Sequence, residues 1–311
     1  MLHNPATVAL MFSIFITVIF VSLVVCLDPP PPIIVIKAES EFLAFKVIRP
    51  ELSVIAVENA TSRREIETCE KIKEGIIEFG LLEPLVDSLV QYRYNGEYLS
   101  IIITTPEKKD DKLGSYIRFP DKTKCKLPPT AIFLLDKPEE GSFSSRPLPV
   151  AGPGQIGVEL GSPTLPQAGK VKRRLFNIMT SGKLKVYGRT RFPLDSGILY
   201  PIEDTEFDLP AGGRLSSGGE TYDSPEINNE AAIYGVVLLG EKSFFISAIT
   251  ETNELRWFRP GGSSDSEKFA VSIFSRLFDD PSVAVISFSI LFFSLTMQVI
   301  CGWIDICKND K

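Results

Sequence analysis

The stretch LVQYRYNGEYLSIII, residues 89–103, holds the sharpest local signal of fold in this chain. Its centre is the pair Asn95-Gly96, which separates two runs rich in β-branched and aromatic residues. Asn and Gly readily adopt the two positive φ angles that a tight hairpin turn requires. The stretch therefore predicts a β-hairpin with one strand on each side of Asn95-Gly96.

Short apolar runs continue on both sides of this hairpin, punctuated by Gly, Pro, Asn and Asp. They predict strands at residues 33–36, 53–57, 131–135, 184–187, 198–202, 232–239 and 243–249. Regular short strands separated by such turns are typical of a sandwich or a barrel. The sequence thus predicts a mainly β region, sandwich- or barrel-like, with a minor helical part.

Two segments favour helices instead. Residues 62–65 fit a capping box, and apolar residues then recur at three- and four-residue spacing, which predicts a helix at residues 63–79. Residues 266–278 place several apolar side chains on one helical face. This pattern predicts an amphipathic juxtamembrane helix, which lies at the membrane interface or packs on the β region.

Residues 138–169 differ from their surroundings because they are rich in Pro and Gly. This composition predicts a linker or a long irregular loop. A β-rich region at residues 33–137 then precedes another at 170–262, as two domains or as two halves of one sandwich. Residues 152–157 match the pattern G-x-G-x-x-G, but the flanking residues do not predict the preceding strand and the following helix of a dinucleotide site.

Two long uncharged hydrophobic runs, residues 8–27 and 283–304, lie near the two ends. A helix of about 20 residues crosses the hydrocarbon core of a bilayer, so each run predicts a transmembrane helix. Residues 28–32 follow the first run as a Pro-rich stalk, which favours polyproline II. The first run has two alternatives, a cleaved signal peptide and a lipoprotein signal with lipid on Cys26.

Orientation is indicated by Lys308 and Lys311, which favour a cytoplasmic C-terminus under the positive-inside tendency. Two spans then place both termini in the cytoplasm and the central region outside it. The expected setting is a bacterial inner membrane with a periplasmic domain.

Histidine occurs once, as His3. The central region therefore lacks Ser-His-Asp and Cys-His catalysis and any His-ligated zinc site. Ser-x-x-Lys, Gly-x-Ser-x-Gly and Walker A motifs are also missing from the sequence. We expect a binding protein rather than an enzyme, and we assign no catalytic residue, cofactor or metal ligand.

The cysteines of the central region are Cys69 and Cys125. In an oxidising compartment they would pair and close a long loop. The alternative is two buried free thiols, because cysteine is often buried without a partner.

Charges are ordered in two successive blocks. A basic block consists of Lys170, Lys172, Arg173, Arg174, Lys183, Lys185, Arg189 and Arg191. An acidic block follows and includes Asp195, Glu203, Asp204, Glu206 and Asp208. The blocks can pair across neighbouring strands or meet head to tail between copies, and the basic block can also bind lipid phosphates or another polyanion.

The sequence therefore predicts a membrane-anchored extracytoplasmic binding or scaffold protein, a subunit or assembly factor of an envelope or membrane complex. One alternative is a carboxylate-dependent glycan hydrolase at the membrane surface. The other is a lipid- or polyanion-binding module. The expected partners are the bilayer and another membrane or envelope protein or a second copy, and we expect no nucleic acid.

Overall fold

The computed structural model describes residues 30–63, 69, 72, 75–106, 114–136, 147–157, 178–190, 199–217, 231–259, 266–269, 276 and 279–309. These residues are mainly β, as the sequence predicts, and they form two sheets. In chain order the strands are β1 Ile33–Ser40, β2 Phe42–Lys46, β3 Ile55–Ser62, β4 Ile76–Glu83, β5 Leu89–Tyr94, β6 Tyr98–Thr104, β7 Tyr116–Arg118, β8 Lys124–Lys126, β9 Thr130–Asp136, β10 Leu148–Gly152, β11 Gly154–Ile156, β12 Met179–Arg189, β13 Leu199–Leu209, β14 Arg214–Ser216, β15 Ile233–Leu239, β16 Phe244–Glu251, β17 Leu255–Phe258 and β18 Ser266–Phe269. A short 3₁₀ helix, Pro50–Leu52, precedes β3.

Contacts divide the chain into two units. The first, which we call the β unit, comprises residues 33–186 and 205–270. The second, which we call the anchor unit, comprises residues 1–32, 187–204 and 271–311. Residues 187–189 of β12 and residues 199–204 of β13 fall within the anchor unit.

The smaller sheet has six strands in the order β10-β15-β16-β1-β12-β13. Strand β1 pairs antiparallel with β16, from Ile33 opposite Glu251 to Ser40 opposite Phe244. Alternate residues of β1 are buried, among them Ile34 and Ile36, because successive side chains of a strand point to opposite faces. One face of this sheet therefore belongs to the core.

The larger sheet has twelve strands in the order β18-β17-β14-β11-β2-β5-β6-β9-β3-β4-β7-β8. Both sheets draw strands from residues 33–137 and from residues 170–262. The two regions are consequently interleaved by hydrogen bonding, which favours one β body over two consecutive domains.

The predicted hairpin is confirmed, since β5 and β6 pair from Leu89 opposite Thr104 to Tyr94 opposite Leu99. Its turn differs from the expected one. Gly96 has a φ of 92°, whereas Asn95 is not among the residues with positive φ. The side-chain Oδ1 of Asn95 instead accepts hydrogen bonds from the amides of Glu97 and Tyr98, at 3.0 and 2.9 Å. Asn95 thus stabilises a wider turn through its side chain.

The predicted linker at residues 138–169 is wrong for the part that the structure describes, because β10 and β11 lie within it. Pro149 is tolerated since β10 is an edge strand of the six-stranded sheet. Gly152 is required by a close backbone approach: a Cβ there would lie 1.8 Å from the carbonyl oxygen of Lys46. Pro149 thus lies on an edge strand and Gly152 at a close approach of two backbone segments, so neither residue belongs to an irregular loop.

Both predicted helices need correction where they are described. Ile76–Phe79 of the predicted helix 63–79 belongs to β4, since its β-branched residues pair with β3. Residues 266–269 of the predicted helix 266–278 form β18, which pairs with β17. Phe269 packs there against Phe207, with 5.0 Å between ring centroids. Arg276 is helical, and most other residues of the two segments lie outside the described part.

The one long helix of the described residues is α1, Pro281–Asn309, which contains the whole of the predicted second span, residues 283–304. Its segment Val283–Ile300 has a mean hydropathy of 2.2 and is long and apolar enough to cross a membrane. Pro281 suits the first turn, where its missing N–H has no intrahelical role. The predicted first span, residues 8–27, and the first two residues of the stalk, Asp28 and Pro29, lie outside the described residues.

Cys69 and Cys125 are joined by a disulfide, with 5.6 Å between their Cα atoms. Both residues are buried. Cys125 lies on β8, the last strand of the twelve-stranded sheet. The bond therefore ties the segment between β3 and β4 to the edge of this sheet.

Three further contacts hold the sheets in place. The buried hydroxyl of Tyr92, whose pKa is raised well above 10 by burial, donates to the Pro149 carbonyl at 2.8 Å. Gly213 leaves room for the Trp257 ring, since a Cβ at Gly213 would lie 1.9 Å from Cη2. Glu83 pairs with two basic residues at the sheet edge, Arg118 at 2.5 Å and Lys124 at 2.8 Å.

Candidate binding face and juxtamembrane clamp

The outward side of the six-stranded sheet carries an unusual number of apolar side chains. Register places them on adjacent strands, with Leu238 opposite Phe245 and Tyr234 opposite Ile249. We call the following set the apolar face: Val35, Tyr234, Val236, Leu238, Phe245 and Ile249. Val236 and Phe245 are each 40% exposed and Ile249 is 48% exposed. The outward side of β16 therefore carries two large apolar residues, Phe245 and Ile249, beside Ser247 and Glu251, whereas the solvated face of an antiparallel sheet is ordinarily polar.

The same side of the sheet becomes charged at β12 and β13. Lys183 on β12 lies 3.4 Å from the carboxylate of Asp208 and 3.6 Å from that of Glu206. Asp208 first, and Glu206 second, raise the pKa of Lys183. Members of the predicted basic and acidic blocks thus meet on neighbouring strands of one molecule.

A groove of about 530 Å³ lies where the apolar and charged parts of this side meet. Its lining includes Val236 and Phe245 from the apolar face. The charged residues of the lining are Lys37 and Glu39 of β1, Lys183 of β12 and Asp208 of β13. Gly182 forms part of the lining, and a Cβ there would lie 3.1 Å from Cδ1 of Leu209. The groove combines an apolar wall with fixed charges of both signs.

The carboxylate of Glu39 is held in place by two hydroxyl groups. Ser243 donates to Oε1 at 2.7 Å, and Ser181 donates to Oε2 at 3.5 Å. The hydroxyl of Thr180 donates to the Glu39 backbone carbonyl at 3.0 Å. Glu39 is therefore an oriented acceptor at the rim of the groove.

The other predicted charges are distributed differently. Lys185 is exposed and Arg189 half-buried on β12, while Glu203 and Asp204 lie on β13. Outside the described residues lie Lys170, Lys172, Arg173, Arg174, Arg191 and Asp195. Among the residues that the structure describes, no three His, Cys, Asp or Glu side chains are grouped as metal ligands.

Sequence reasoning missed the apolar face and Glu39. The signal was present in the run FFISAIT, residues 244–250, which has apolar residues on both faces instead of strict alternation. Glu39 gave no such signal, because its partner Ser243 is 204 positions away in the chain.

A second arrangement lies within the anchor unit, and we call it the juxtamembrane clamp. The hydroxyl of Tyr200 donates to the Arg276 carbonyl at 2.6 Å. The Nη1 of Arg276 donates to the Pro30 carbonyl at 3.1 Å. Gly188 makes room for the tyrosine, since a Cβ there would lie 2.3 Å from the Cζ of Tyr200. Pro30 is therefore bonded to the segment that precedes α1, rather than being part of a free stalk.

Comparison with known proteins adds no name to these features. The chain matches no protein-family model. It also matches no curated protein and no solved structure.

Proposed function

We propose that this chain is a membrane-anchored binding or scaffold protein, which docks a protein partner on the apolar face of its β unit. The observation that carries this proposal is the exposure of Val236, Phe245 and Ile249 on adjacent central strands. Contiguous exposed apolar surface is costly in water and typically marks an interaction site. The partner is another membrane or envelope protein, or a second copy of the chain.

The charged residues that line the groove support this proposal because an apolar surface alone does not fix the orientation of a partner. Glu39 is oriented by two hydroxyls, and Lys183 lies beside Asp208 in the lining of the same groove. Charges arranged around an apolar patch fix the register of a partner more than they add affinity. We infer that the partner presents an apolar segment flanked by polar groups.

Anchoring and location follow from other features. Helix α1 is long and apolar enough to span a bilayer. The bond between Cys69 and Cys125 supports an oxidising compartment for the β unit. We propose that residues 8–27 form a second span and that both termini are cytoplasmic. A topology reporter at Gly169 tests this orientation, and a cytoplasmic signal there would exclude it.

The docking proposal is tested with the full chain in intact membranes. We replace Phe245 and Ile249 with Asp together, crosslink, extract in mild detergent and identify what is captured by mass spectrometry. The matched control is Leu52→Asp, which changes an exposed leucine (48%) of the 3₁₀ helix that is not a member of the apolar face.

We expect the yield of the crosslinked species, whether it contains a partner or a second copy, to fall at least ten-fold in the face variant. Leu52→Asp should leave this yield unchanged. Emission of the buried Trp257, measured on each purified variant with Trp303 replaced by Phe, reports whether that variant remains folded. Unchanged capture by a folded face variant would exclude docking at this surface.

A glycan hydrolase is the second candidate because two carboxylates, those of Glu39 and Asp208, line one groove. Glycoside hydrolysis uses two facing carboxyl groups about 5–9.5 Å apart. Glu39→Gln and Asp208→Asn should each abolish turnover of membrane-proximal glycans if this candidate is correct. Turnover that survives both substitutions, or is missing from the unchanged chain, would exclude it.

The lipid- or polyanion-binding module is less favoured for the described residues, because Lys183 already faces Asp208 and Glu206. Binding of the full chain to anionic vesicles should fall steeply with salt if the basic block is responsible. Binding that ignores salt would argue against this module.

A further inference from the structure

We propose that residues 8–27 pack antiparallel against one stripe of α1, so that the two hydrophobic runs form a helical hairpin in the membrane whose position is fixed by the juxtamembrane clamp. We call the stripe the packing stripe; it consists of Val283, Ile286, Ile290, Ser294 and Gln298. The inference rests on the proposed membrane anchoring and goes beyond it, because it names the contact between the runs.

The juxtamembrane clamp links the segment after the first hydrophobic run to the segment before the second. Pro30, three residues after the first run, accepts a hydrogen bond from Arg276, which lies shortly before α1. Three residues of chain reach at most about 10 Å. The end of the first run is therefore close to the segment from which α1 begins.

The clamp is also protected from water. Arg276 is only 7% exposed, and a hydrogen bond from a guanidinium to a carbonyl is among the stronger kinds. Tyr200 holds the backbone of Arg276 from β13. Asp280 is 1% exposed, and its carbonyl accepts the amides of Val283 and Ala284, at 3.0 and 3.1 Å. The first turn of α1 is thus fixed at a buried position.

Exposure along α1 distinguishes one face of the helix from the rest. Between Val283 and Ile300, the residues that are half-buried rather than exposed are the five of the packing stripe. Their spacing of three and four residues places them on one side of a helix. Side chains of the same type differ by position: Val283 is half-buried, whereas Val285 is 66% and Val299 71% exposed.

Residues 8–27 fit as the occupant in length and composition. They are uncharged and about as long as Val283–Ile300, and they end where the clamp holds the chain. Equal rise along two antiparallel helices then pairs Val24 with Ile286 and Ile16 with Ser294. Such close packing of helices is what stabilises their association in lipid, where no hydrophobic driving force acts between them.

Cysteine crosslinking in intact membranes tests this contact. The background is the full chain with Cys26, Cys301 and Cys307 replaced by Ala, and with the Cys69–Cys125 bond retained. We combine Val24→Cys with Ile286→Cys on the stripe. The matched control combines Val24→Cys with Val285→Cys, at the same depth but on the exposed side of the helix.

Upon oxidation we expect an intramolecular crosslink at least ten-fold more abundant for the stripe pair than for the control pair. Equal yields for the two pairs would overturn the proposed stripe. Covalent dimers from Ile286→Cys alone would also overturn it, because a second copy would then occupy the face.

Two further measurements separate this inference from the proposed function. Loss of an N-terminal tag from the mature chain, with the chain retained in membranes after carbonate extraction, would overturn the hairpin but leave anchoring by α1 intact. Release of the chain by carbonate would overturn the anchoring itself. Arg276→Ala should lower the stripe crosslink several-fold while Trp257 emission is unchanged, and an undiminished yield would overturn the role of the clamp.

Discussion

The disulfide between Cys69 and Cys125 should contribute a large share of the stability of the β unit. The bond closes a loop of 56 residues. In the chain-entropy model, a loop of that length stabilises the folded state by about 4 kcal/mol at 25 °C, because it restricts the unfolded chain. Replacing both cysteines by Ala should therefore lower the free energy of unfolding by about that amount.

The measurement is urea unfolding of the full chain in detergent micelles, followed by tryptophan fluorescence. Trp257 is 2% exposed and reports on the β unit, while Trp303 on α1 is 71% exposed and is replaced by Phe to remove its signal. With an m value of about 2–3 kcal/mol/M, the midpoint should fall by about 1.3–2 M.

Reduction supplies the control. Dithiothreitol should shift the unchanged chain to the midpoint of the double variant, and the single substitutions Cys69→Ala and Cys125→Ala should each produce nearly the full loss. A midpoint that reduction does not move, or a double variant within about 0.5 kcal/mol of the parent, would refute the argument from loop closure.

Three other substitutions test the core and the sheet edge by the same unfolding measurement. Tyr92→Phe should cost about 1 kcal/mol because it leaves the Pro149 carbonyl without its donor, and an unchanged midpoint would contradict this. Gly213→Ala should cost about 1–3 kcal/mol and shift Trp257 emission to the red, because the new methyl group overlaps the ring; unchanged emission would show that the ring has room. Although burial alone raises the pKa of Glu83, its two basic partners lower it below the ordinary 4.5. The stabilisation from Glu83 is then complete above pH about 4.5 and is lost as the pH falls through the lower pKa of the folded state. Glu83→Gln should therefore flatten the dependence of the unfolding free energy on pH in that range. A pH dependence parallel to that of the parent would contradict the ion pairing of Glu83.

Local signals predicted local structure well. The hairpin around Asn95-Gly96 follows from neighbouring residues, and so do β9, which includes Ala131–Leu135, and β16, which begins one residue after the predicted start at Ser243. The predicted helices fail at Ile76–Phe79 and at Ser266–Phe269, where pairing with a neighbouring strand outweighs helical spacing. Helical periodicity in a short β-branched segment is a weak guide because tertiary pairing decides it.

The candidate binding face was only partly accessible from the sequence. The order of charges predicted that Lys183 and the acids of β13 could pair, and the structure places Lys183 beside Asp208 and Glu206. The apolar face depends on register between β1, β15 and β16, which are far apart in the chain. A one-residue change of register would turn Phe245 inward, so no local pattern could assign its side.

The position of β1 in the six-stranded sheet has a consequence for synthesis. This strand is the first of the β unit to leave the ribosome, yet its neighbours are β12 and β16, and neither begins before residue 179. At roughly 5–20 residues per second, Ile33–Ser40 waits on the order of ten seconds for its first partner. Throughout that interval an apolar strand with free hydrogen-bonding groups on both edges is present beside the growing chain. Strand β1 must therefore be kept from pairing with other strands until β12 and β16 have been synthesised.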